Sequence, residues 1–400
     1  MNPEAKLRIL ICTEDPPALR DHNGVALTID ALNRGLRSRH EVRLLAFAPA
    51  NAAADCSLDC SDRLLPRPRD HPVLDAVRLA RAIVRNRPLR ADALAGAFLT
   101  TLQNELRLFA PDVVHVTPGT LAALGLHLKP TPAVLAALDA RYLNVAANAA
   151  EETGLKRLML RDEIRRVRRF EATEYRHFDR VVVVSEEDAR ALSALDPDMA
   201  IDVIPNGVDT SFYLPAPEPS TARGSIVFHG NMRHPPNVAA ARTLVEEILP
   251  VVRRAVDDAQ VTICGRSPSA AVLGLRKFDG VTVASNVADI RPWLWQAQVY
   301  VCPMVSGTGI KTKLLEAMSC GLPCVATPLA IQGLRVRDGH EVAVASTATE
   351  LAQRIVMILT DGNAAARFGA AARAYVCLHH QWAAVCARYE EVYRDVIGAR

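Results

Sequence analysis

The stretch that most constrains this chain is Val301–Thr327, VCPMVSGTGIKTKLLEAMSCGLPCVAT. A short apolar run, Val299–Val301, leads into a loop carrying Ser306, Gly307, Thr308 and Gly309. A helical segment, Lys311–Ser319, follows; Gly321-Leu322-Pro323 stops it, and a second apolar strand, Cys324–Thr327, comes next. The pattern predicts a β-loop-α-β unit. Gly307 and Gly309 let backbone approach a ligand closely, and N–H groups at a helix start attract anions. Lys311 and Lys313 add mobile positive charge in the first turn, where the macrodipole disfavours cations unless an anion is present. Glu316 lies three residues after Lys313, on the same helix face. Such a loop suits a diphosphate beside a sugar ring, with Glu316 accepting hydroxyl hydrogen bonds. It equally suits an ordinary α/β turn with a surface ion pair.

Length and composition narrow the frame. Four hundred residues exceed one ordinary core and fit two domains of roughly 150–200 residues. Half the residues are hydrophobic, so large cores can form. Lys+Arg 47 against Asp+Glu 44 leaves +3, too balanced to argue for nucleic acid. Nine cysteines show no metal-ligand spacing; Cys56 and Cys60 lie four apart in a polar loop and the others sit singly among apolar residues. Reduced thiols in a cytoplasmic protein are expected. The start, MNPEAKLRILICTEDPP, has too short an apolar run for a signal peptide, and no run reaches the ~18 apolar residues of a spanning helix. A soluble protein is expected.

Leu7–Thr13 predicts a buried first strand, Val25–Arg37 a helix and His40–Phe47 a second strand. This order implies a parallel sheet. The loop Glu14–Asn23 lacks G-x-G-x-x-G, so the dinucleotide fingerprint is missing. Val73–Arg85 carries Arg78, Arg81 and Arg85, a solvated helix face or a basic surface for anionic lipid or a charged acceptor. Asp112–Val116 and Ala133–Leu138 predict further strands. Asp139 closes the second, and open α/β sheets bind ligands at strand carboxyl ends, which makes it a candidate catalytic residue. Leu155–Phe178 is helical and dense in arginine, but its interleaved acids favour a salt-bridged exposed helix over a polybasic anchor. Arg180–Ser185 is the next strand, with Ser185 capping a helix that opens Glu186-Glu187-Asp188. Asp196-Pro197-Asp198 has a metal-binding Asp-x-Asp spacing but sits in a turn, where Pro and Asp are common. Residues 211–224, rich in Pro, Ser and Ala, are expected as a linker between domains 1–210 and 225–380. A second α/β series follows: Ile226–Phe228, the loop His229–Asn237 and the helix Val238–Glu247, then Val261–Cys264, Val281–Val283, the 299–327 unit and Val342–Val344. Two doubly wound α/β domains are expected.

Several separated pieces together resemble the two-domain GT-B sugar transferases, specifically glycosyltransferase family 4. They are VIPNGVDTSFY (203–213), FHGNMRHPPNVAAA (228–241), ICGRSPSAAV (263–272), ADIRPWL (288–294) and GTGIKTKLLEAMSCGLPCVAT (307–327). The N-terminal LRILICTEDPP and HNGVALTIDALNRGL segments also match, so the resemblance covers essentially the whole chain. It is nearest to transferases of exopolysaccharide or related glycoconjugate assembly. It implies two Rossmann-like domains facing across a cleft, closing on a nucleotide-sugar in the C-terminal domain and an acceptor in the N-terminal one. The acceptor it implies is a glycan, a lipid-linked molecule or a small molecule; for a cytoplasmic protein, any peripheral contact with the inner membrane face is expected through the N-terminal domain. The helix at 381–400 would cross back to the N-terminal domain. By the same resemblance Glu316 meets the nucleotide ribose and the loop from Gly307 through Thr308, Gly309 and Ile310 lies against sugar and diphosphate. Lys311 and Lys313 would neutralise the leaving diphosphate, and Gly24 would let the first loop pass close to the donor. Retention of anomeric configuration is implied, with no cofactor and no metal.

The sequence departs from the family pattern where an acid is common eight residues before Glu316; here Thr308 stands there. Asn231 and Pro236 occupy positions where relatives carry an arginine and a lysine beside Gly230. That leaves Lys311, Lys313, Arg233 or Arg266 as phosphate partners. A nucleotide-sugar epimerase on the same fold, or a non-catalytic sugar-nucleotide-binding protein, are the alternatives to a transferase.

Overall fold

The computed structural model describes residues 5–17, 24–48, 58–68, 84, 86–88, 91–150, 152–218, 223–307 and 309–399. Nearly all of the arginine-bearing segment 73–85, residues 18–23 of the first loop, Cys56 and Thr308 lie outside the described residues. The chain divides into two compact units, Met1–Pro205 with Val385–Arg400, and Asn206–Ala384.

The first unit holds seven strands: β1 (Arg8–Thr13), β2 (Glu41–Phe47), β3 (Arg63–Leu65), β4 (Val113–Thr117), β5 (Ala133–Leu138), β6 (Arg180–Val183) and β7 (Ile201–Val203). They pair in the order β3-β2-β1-β4-β5-β6-β7, all parallel. Every residue of β4 is buried, as is all of β1 except Arg8. A parallel sheet is covered on both faces, which is why these strands read as unbroken apolar runs rather than alternating ones. The expected cap is present: Ser185 Oγ accepts from the Asp188 backbone N–H at 3.1 Å and starts the helix Glu186–Ser193. The long arginine-rich helix runs Gly154–Glu174 and tightens into a 3₁₀ turn at Tyr175–His177. Arg166 pairs with Asp162 at 2.7 Å and Arg165 with the same carboxylate at 3.4 Å, the mixed-sign pattern expected of it.

The second unit holds β8 (Ser225–Asn231), β9 (Gln260–Arg266), β10 (Val281–Ser285), β11 (Val299–Cys302), β12 (Cys324–Ala326) and β13 (Ala343–Val344). Its order, β10-β9-β8-β11-β12-β13, repeats the first six positions of the other sheet and is again all parallel. Both sheets therefore carry the doubly wound Rossmann-like order. Each reverses direction between its first and fourth strands, so the loops after those strands part and leave a crevice at their carboxyl ends.

The chain passes between units at Pro205–Asn206. The stretch expected as a linker opens instead as part of the second unit: the Tyr213 carbonyl accepts from Ser319 Oγ at 2.7 Å and the Leu214 carbonyl from Trp295 Nε1 at 2.8 Å. It passes back within the helix Trp382–Gly398, whose residues from Val385 on belong to the first unit. There Glu390 pairs with Arg39 at 2.6 Å, and the Tyr393 hydroxyl meets Nδ1 of His115 at 2.7 Å. Burial holds that imidazole down at about 3, so it stays neutral and accepts the hydroxyl proton.

Candidate functional site

The 299–327 stretch folds as a strand, a loop, the helix Thr312–Ser319 and a strand. The helix forms because Leu314, Leu315, Ala317 and Met318 bury its inner side. It ends because Gly321, at φ +73°, turns left-handed, with Gly321 N–H reaching the Met318 carbonyl and Leu322 N–H that of Ala317. Lys311 is not in the helix but caps it, at φ −86° and ψ 86°, without a side-chain cap bond. What remains of the helix start, Lys313 and Glu316, faces the carboxyl end of β8.

Lys311 is not the mobile charge expected of it. It is buried, and its Nζ donates to the Gly309 carbonyl at 2.6 Å and to the Gly307 carbonyl at 3.3 Å. Gly307 and Gly309 hold φ +100° and +71°, so their carbonyls turn toward that ammonium in a conformation L side chains rarely adopt. Lys311 thus braces the glycine loop.

Lys313 turns toward the switch point. Its Nζ is hydrogen-bonded to Asn237 Oδ1, lies 3.9 Å from Met304 Sδ and stands 5.4 Å from the centre of the Phe228 ring. Asn237 in turn donates from Nδ2 to the Asn231 carbonyl at 2.9 Å, so an amide from the helix Pro235–Arg242 links the lysine to the end of β8. Desolvation pushes the Lys313 pKa below the ordinary lysine value, with the Cys302 thiol and Glu316 opposing. The field of both lysines is felt at His234, which is held below its ordinary value first by desolvation and then by Lys313 and Lys311.

Gly230 makes room for this arrangement. At φ +155°, a Cβ there would fall 2.9 Å from Asn237 Nδ2 and 3.5 Å from Lys313 Nζ. Glu316, one helical turn from Lys313, points to β8 as well: its Oε2 lies 2.7 Å from His229 Nε2. The Tyr213 hydroxyl also reaches this carboxylate, and burial followed by the charge and hydrogen bond of Glu316 pushes the phenol upward.

The remaining expected residues distribute as follows. Asn231 ends β8 exposed and accepts the Arg233 backbone N–H on Oδ1 at 3.1 Å. Arg233 is exposed beside it, and Arg266 ends β9, paired in register with Asn231. Ile310 packs against the second unit's core. Gly24 opens the helix Gly24–Arg37 in the first unit. Asp139 follows β5 in that unit, half-buried, accepting Asn144 Nδ2 at 2.6 Å; desolvation raises its carboxyl, opposed by that bond. Glu171 is nearby, fully buried at 1% exposure and pushed up to about 8 by desolvation, with the Arg141 and Tyr142 backbone N–H groups opposing. Asp196 is already engaged, by Arg176 at 3.0 Å and the Asp198 N–H at 3.2 Å. Among the described residues no group of three or more His, Cys, Asp or Glu side chains is placed to hold a metal ion, and no helix is long and apolar enough to cross a membrane.

His229, Asn237 and Tyr213 are the residues that sequence reasoning did not single out. All three lie inside the motifs at 228–241 and 203–213, but nothing in their spacing says that they converge on Glu316 and Lys313.

Two parallel doubly wound sheets, with a glycine loop, a lysine and a carboxylate at the switch point of the second, define a two-domain GT-B architecture. Known proteins agree. A family model described as Glycosyltransferase Family 4 matches residues 22–212, and one described as Glycosyl transferases group 1 matches residues 223–361. The chain belongs to the group 1, family 4 glycosyltransferases of GT-B fold. Among solved structures, sucrose-phosphate synthase from Thermosynechococcus elongatus superposes with a TM-score of 0.71 at 17% identity, covering 99% of this chain and 100% of that one. HepE of Anabaena, solved in complex with UDP and glucose, gives 0.63 at 14% identity over 97% of this chain and 100% of that one. Among curated proteins, the phosphatidyl-myo-inositol mannosyltransferase of Mycobacterium leprae (strain TN) is 28% identical over 207 residues, 48% of this chain and 53% of that one. The GDP-mannose-dependent alpha-(1-6)-phosphatidylinositol monomannoside mannosyltransferase of Mycobacterium tuberculosis (strain ATCC 25618 / H37Rv) is 29% identical over 252 residues, 54% of this chain and 62% of that one. The chain thus spans between about half and two thirds of the length of these relatives.

Proposed function

We propose that this chain is a retaining, metal-independent transferase that moves a sugar from a nucleotide-sugar to a hydroxyl of a glycan, lipid-linked or small-molecule acceptor. The observation that carries this reading is that Lys313 and Glu316 both meet the carboxyl end of β8, Lys313 through Asn237 and Glu316 through His229, with Gly307 beside Pro236. When the bond from the sugar's anomeric carbon to the diphosphate breaks, negative charge builds on the leaving oxygens. A fixed ammonium and backbone N–H groups aimed at those oxygens lower the barrier. Lys313 supplies the ammonium, and its low-dielectric setting strengthens its pull on a phosphate. Glu316 accepts the nucleotide's ribose hydroxyls. Lys311 serves by holding the loop. Asp139, a raised carboxyl at a strand end of the first unit, is the candidate for the acceptor side.

The relatives' names set the order of trials: GDP-mannose as donor and a phosphatidylinositol glycolipid as acceptor first, then UDP-glucose, dTDP- and ADP-sugars. The acceptor class also favours a reaction at the inner membrane face, in exopolysaccharide or glycoconjugate synthesis. On the helix Gly154–Glu174 the exposed Leu158 and Met159 sit beside Lys156, Arg157 and Arg161, a mixture that suits an anionic lipid surface. A thermal-shift screen of the donors, followed by product analysis with and without an acceptor alcohol, tests the reading. Transfer in the wild type and its collapse in folded Glu316→Ala and Lys313→Ala are expected. Unchanged turnover in both variants would sink the site. Donor binding without consumption across an acceptor panel would instead identify a sugar-nucleotide-binding protein.

A further inference from the structure

We propose that His229 and Tyr213 are positioning residues, which hold the Glu316 carboxylate in one orientation for the hydroxyls of the donor nucleotide. The proposal rests on the reading of Glu316 as the ribose acceptor. A glutamate on a helix surface samples several rotamers, and a carboxylate that must receive two neighbouring hydroxyls loses affinity in each wrong one. Here that freedom is removed from two directions.

His229 is buried at 5% exposure on β8, its ring edge-on to Tyr300 with 5.3 Å between centres. Its Nε2 stands 2.7 Å from Glu316 Oε2, while its Nδ1 has no hydrogen-bond partner among the described residues. A carboxylate only accepts, so the ring proton sits on Nε2 and is aimed at Glu316. Tyr213 comes from the chain just after its entry into the second unit and gives Glu316 its second donor, the phenol. Its own backbone is pinned to the far end of the same helix, the carbonyl accepting from Ser319 Oγ at 2.7 Å and Arg373 Nη1 at 3.3 Å. Phe212 packs edge-on against the Tyr213 ring at 5.0 Å, and Arg291 lies 3.8 Å over Phe212. Both donors are therefore ring-borne groups with little freedom of their own. A carboxylate accepts up to about four hydrogen bonds, so two fixed donors leave capacity for a ribose diol. The Glu316 side chain keeps 19% exposure, the open side that such a ligand needs.

The experiment is a double-mutant cycle on nucleotide affinity. Calorimetry measures the Kd of UDP and GDP for wild type, His229→Leu, Tyr213→Phe, Glu316→Ala and the His229→Leu/Glu316→Ala pair, with circular dichroism checking the fold. His229→Leu and Tyr213→Phe are each expected to weaken binding about tenfold. The pair should be no weaker than Glu316→Ala alone, because once the carboxylate is gone there is nothing left to orient. His229→Gln, which keeps an N–H donor, should recover most of the loss, and the losses should appear in donor KM rather than kcat. Additive losses, or single variants that bind as wild type, overturn the positioning role and leave that of Glu316 standing. Glu316→Ala binding as wild type, or a wild type that binds neither nucleotide, overturns the reading of Glu316 and this proposal with it. Should His229→Leu not fold, Tyr213→Phe, which removes one oxygen only, carries the same cycle.

Discussion

The Lys311 ammonium lies 2.6 Å from the Gly309 carbonyl and 3.3 Å from that of Gly307, two residues whose positive φ turns those oxygens inward. The lysine nearest the glycine loop thus holds the loop closed on itself. Lys311→Met keeps the stem and removes the charge, leaving partly buried carbonyls without a donor. That should cost about 1–3 kcal/mol of stability and raise protease cleavage within 305–310. Lys311→Met that unfolds and resists protease as the wild type does would remove the bracing role.

Lys313 gives a test in pH. Burial lowers its pKa, so its ammonium is lost at a lower alkaline pH than that of an exposed lysine. A bound diphosphate favours the charged form, so binding above the free protein's Lys313 pKa draws in a proton. Donor affinity is expected to fall as pH rises through that value. Lys313→Arg, whose guanidinium stays charged, should move the alkaline limb upward even where it weakens binding overall. Isothermal titration in two buffers of different ionisation heat would report the proton uptake. An uptake that persists in Lys313→Arg would assign it to another group.

Much of this architecture was legible in the sequence. The apolar runs of β1, β4, β5, β8 and β11 are continuous because parallel strands are buried on both faces, and Ser185 with its acidic successors marked a helix start. Several elements were not legible. β3, three residues long and partly exposed, lies in a stretch of arginine and proline that gives no period. The helices Ala91–Leu108 and Arg141–Ala150 were not picked out either. At the site, the glycines, Lys313 and Glu316 could be picked out because local spacing put them on one loop and one helix face. His229, Tyr213 and Asn237 could not, because each meets its partner across 76 residues or more.

The glycines divide by what surrounds them. A Cβ on Gly265 would fall 1.9 Å from the Gly230 carbonyl oxygen, backbone against backbone in paired strands, with nothing flexible to yield. Gly265→Ala is expected to prevent the second unit from folding. Gly230→Ala meets the Asn237 amide at 2.9 Å instead. It should fold and displace the amide that holds Lys313, weakening donor binding about tenfold or more. A Cβ on Gly309 would meet nothing within 4 Å, so Gly309→Ala suffers only its φ of +71°, about 1–2 kcal/mol. Expression, melting temperature and nucleotide Kd of the three variants check this ranking. A folded Gly265→Ala, or a Gly230→Ala that binds like the wild type, would contradict it.

Glu171 gives the first unit a test in pH. Desolvation raises its carboxyl from 4.5 to about 8, beside Asp139, which burial also raises. A folded-state pKa above the unfolded one means that the folded chain binds the extra proton. The resulting stability is complete below about 4.5 and is lost progressively as pH rises toward about 8. The loss across that window is on the order of 3–4 kcal/mol for a shift of this size. Glu171→Gln stays neutral, so its stability should be flat over the same window and should exceed the wild type's at pH 8. Urea unfolding from pH 5 to pH 8, followed by a probe in the first unit, measures both curves. Parallel curves for wild type and Glu171→Gln would show that Glu171 is ionised throughout, and that Arg141 and Tyr142, through their N–H groups, outweigh its burial.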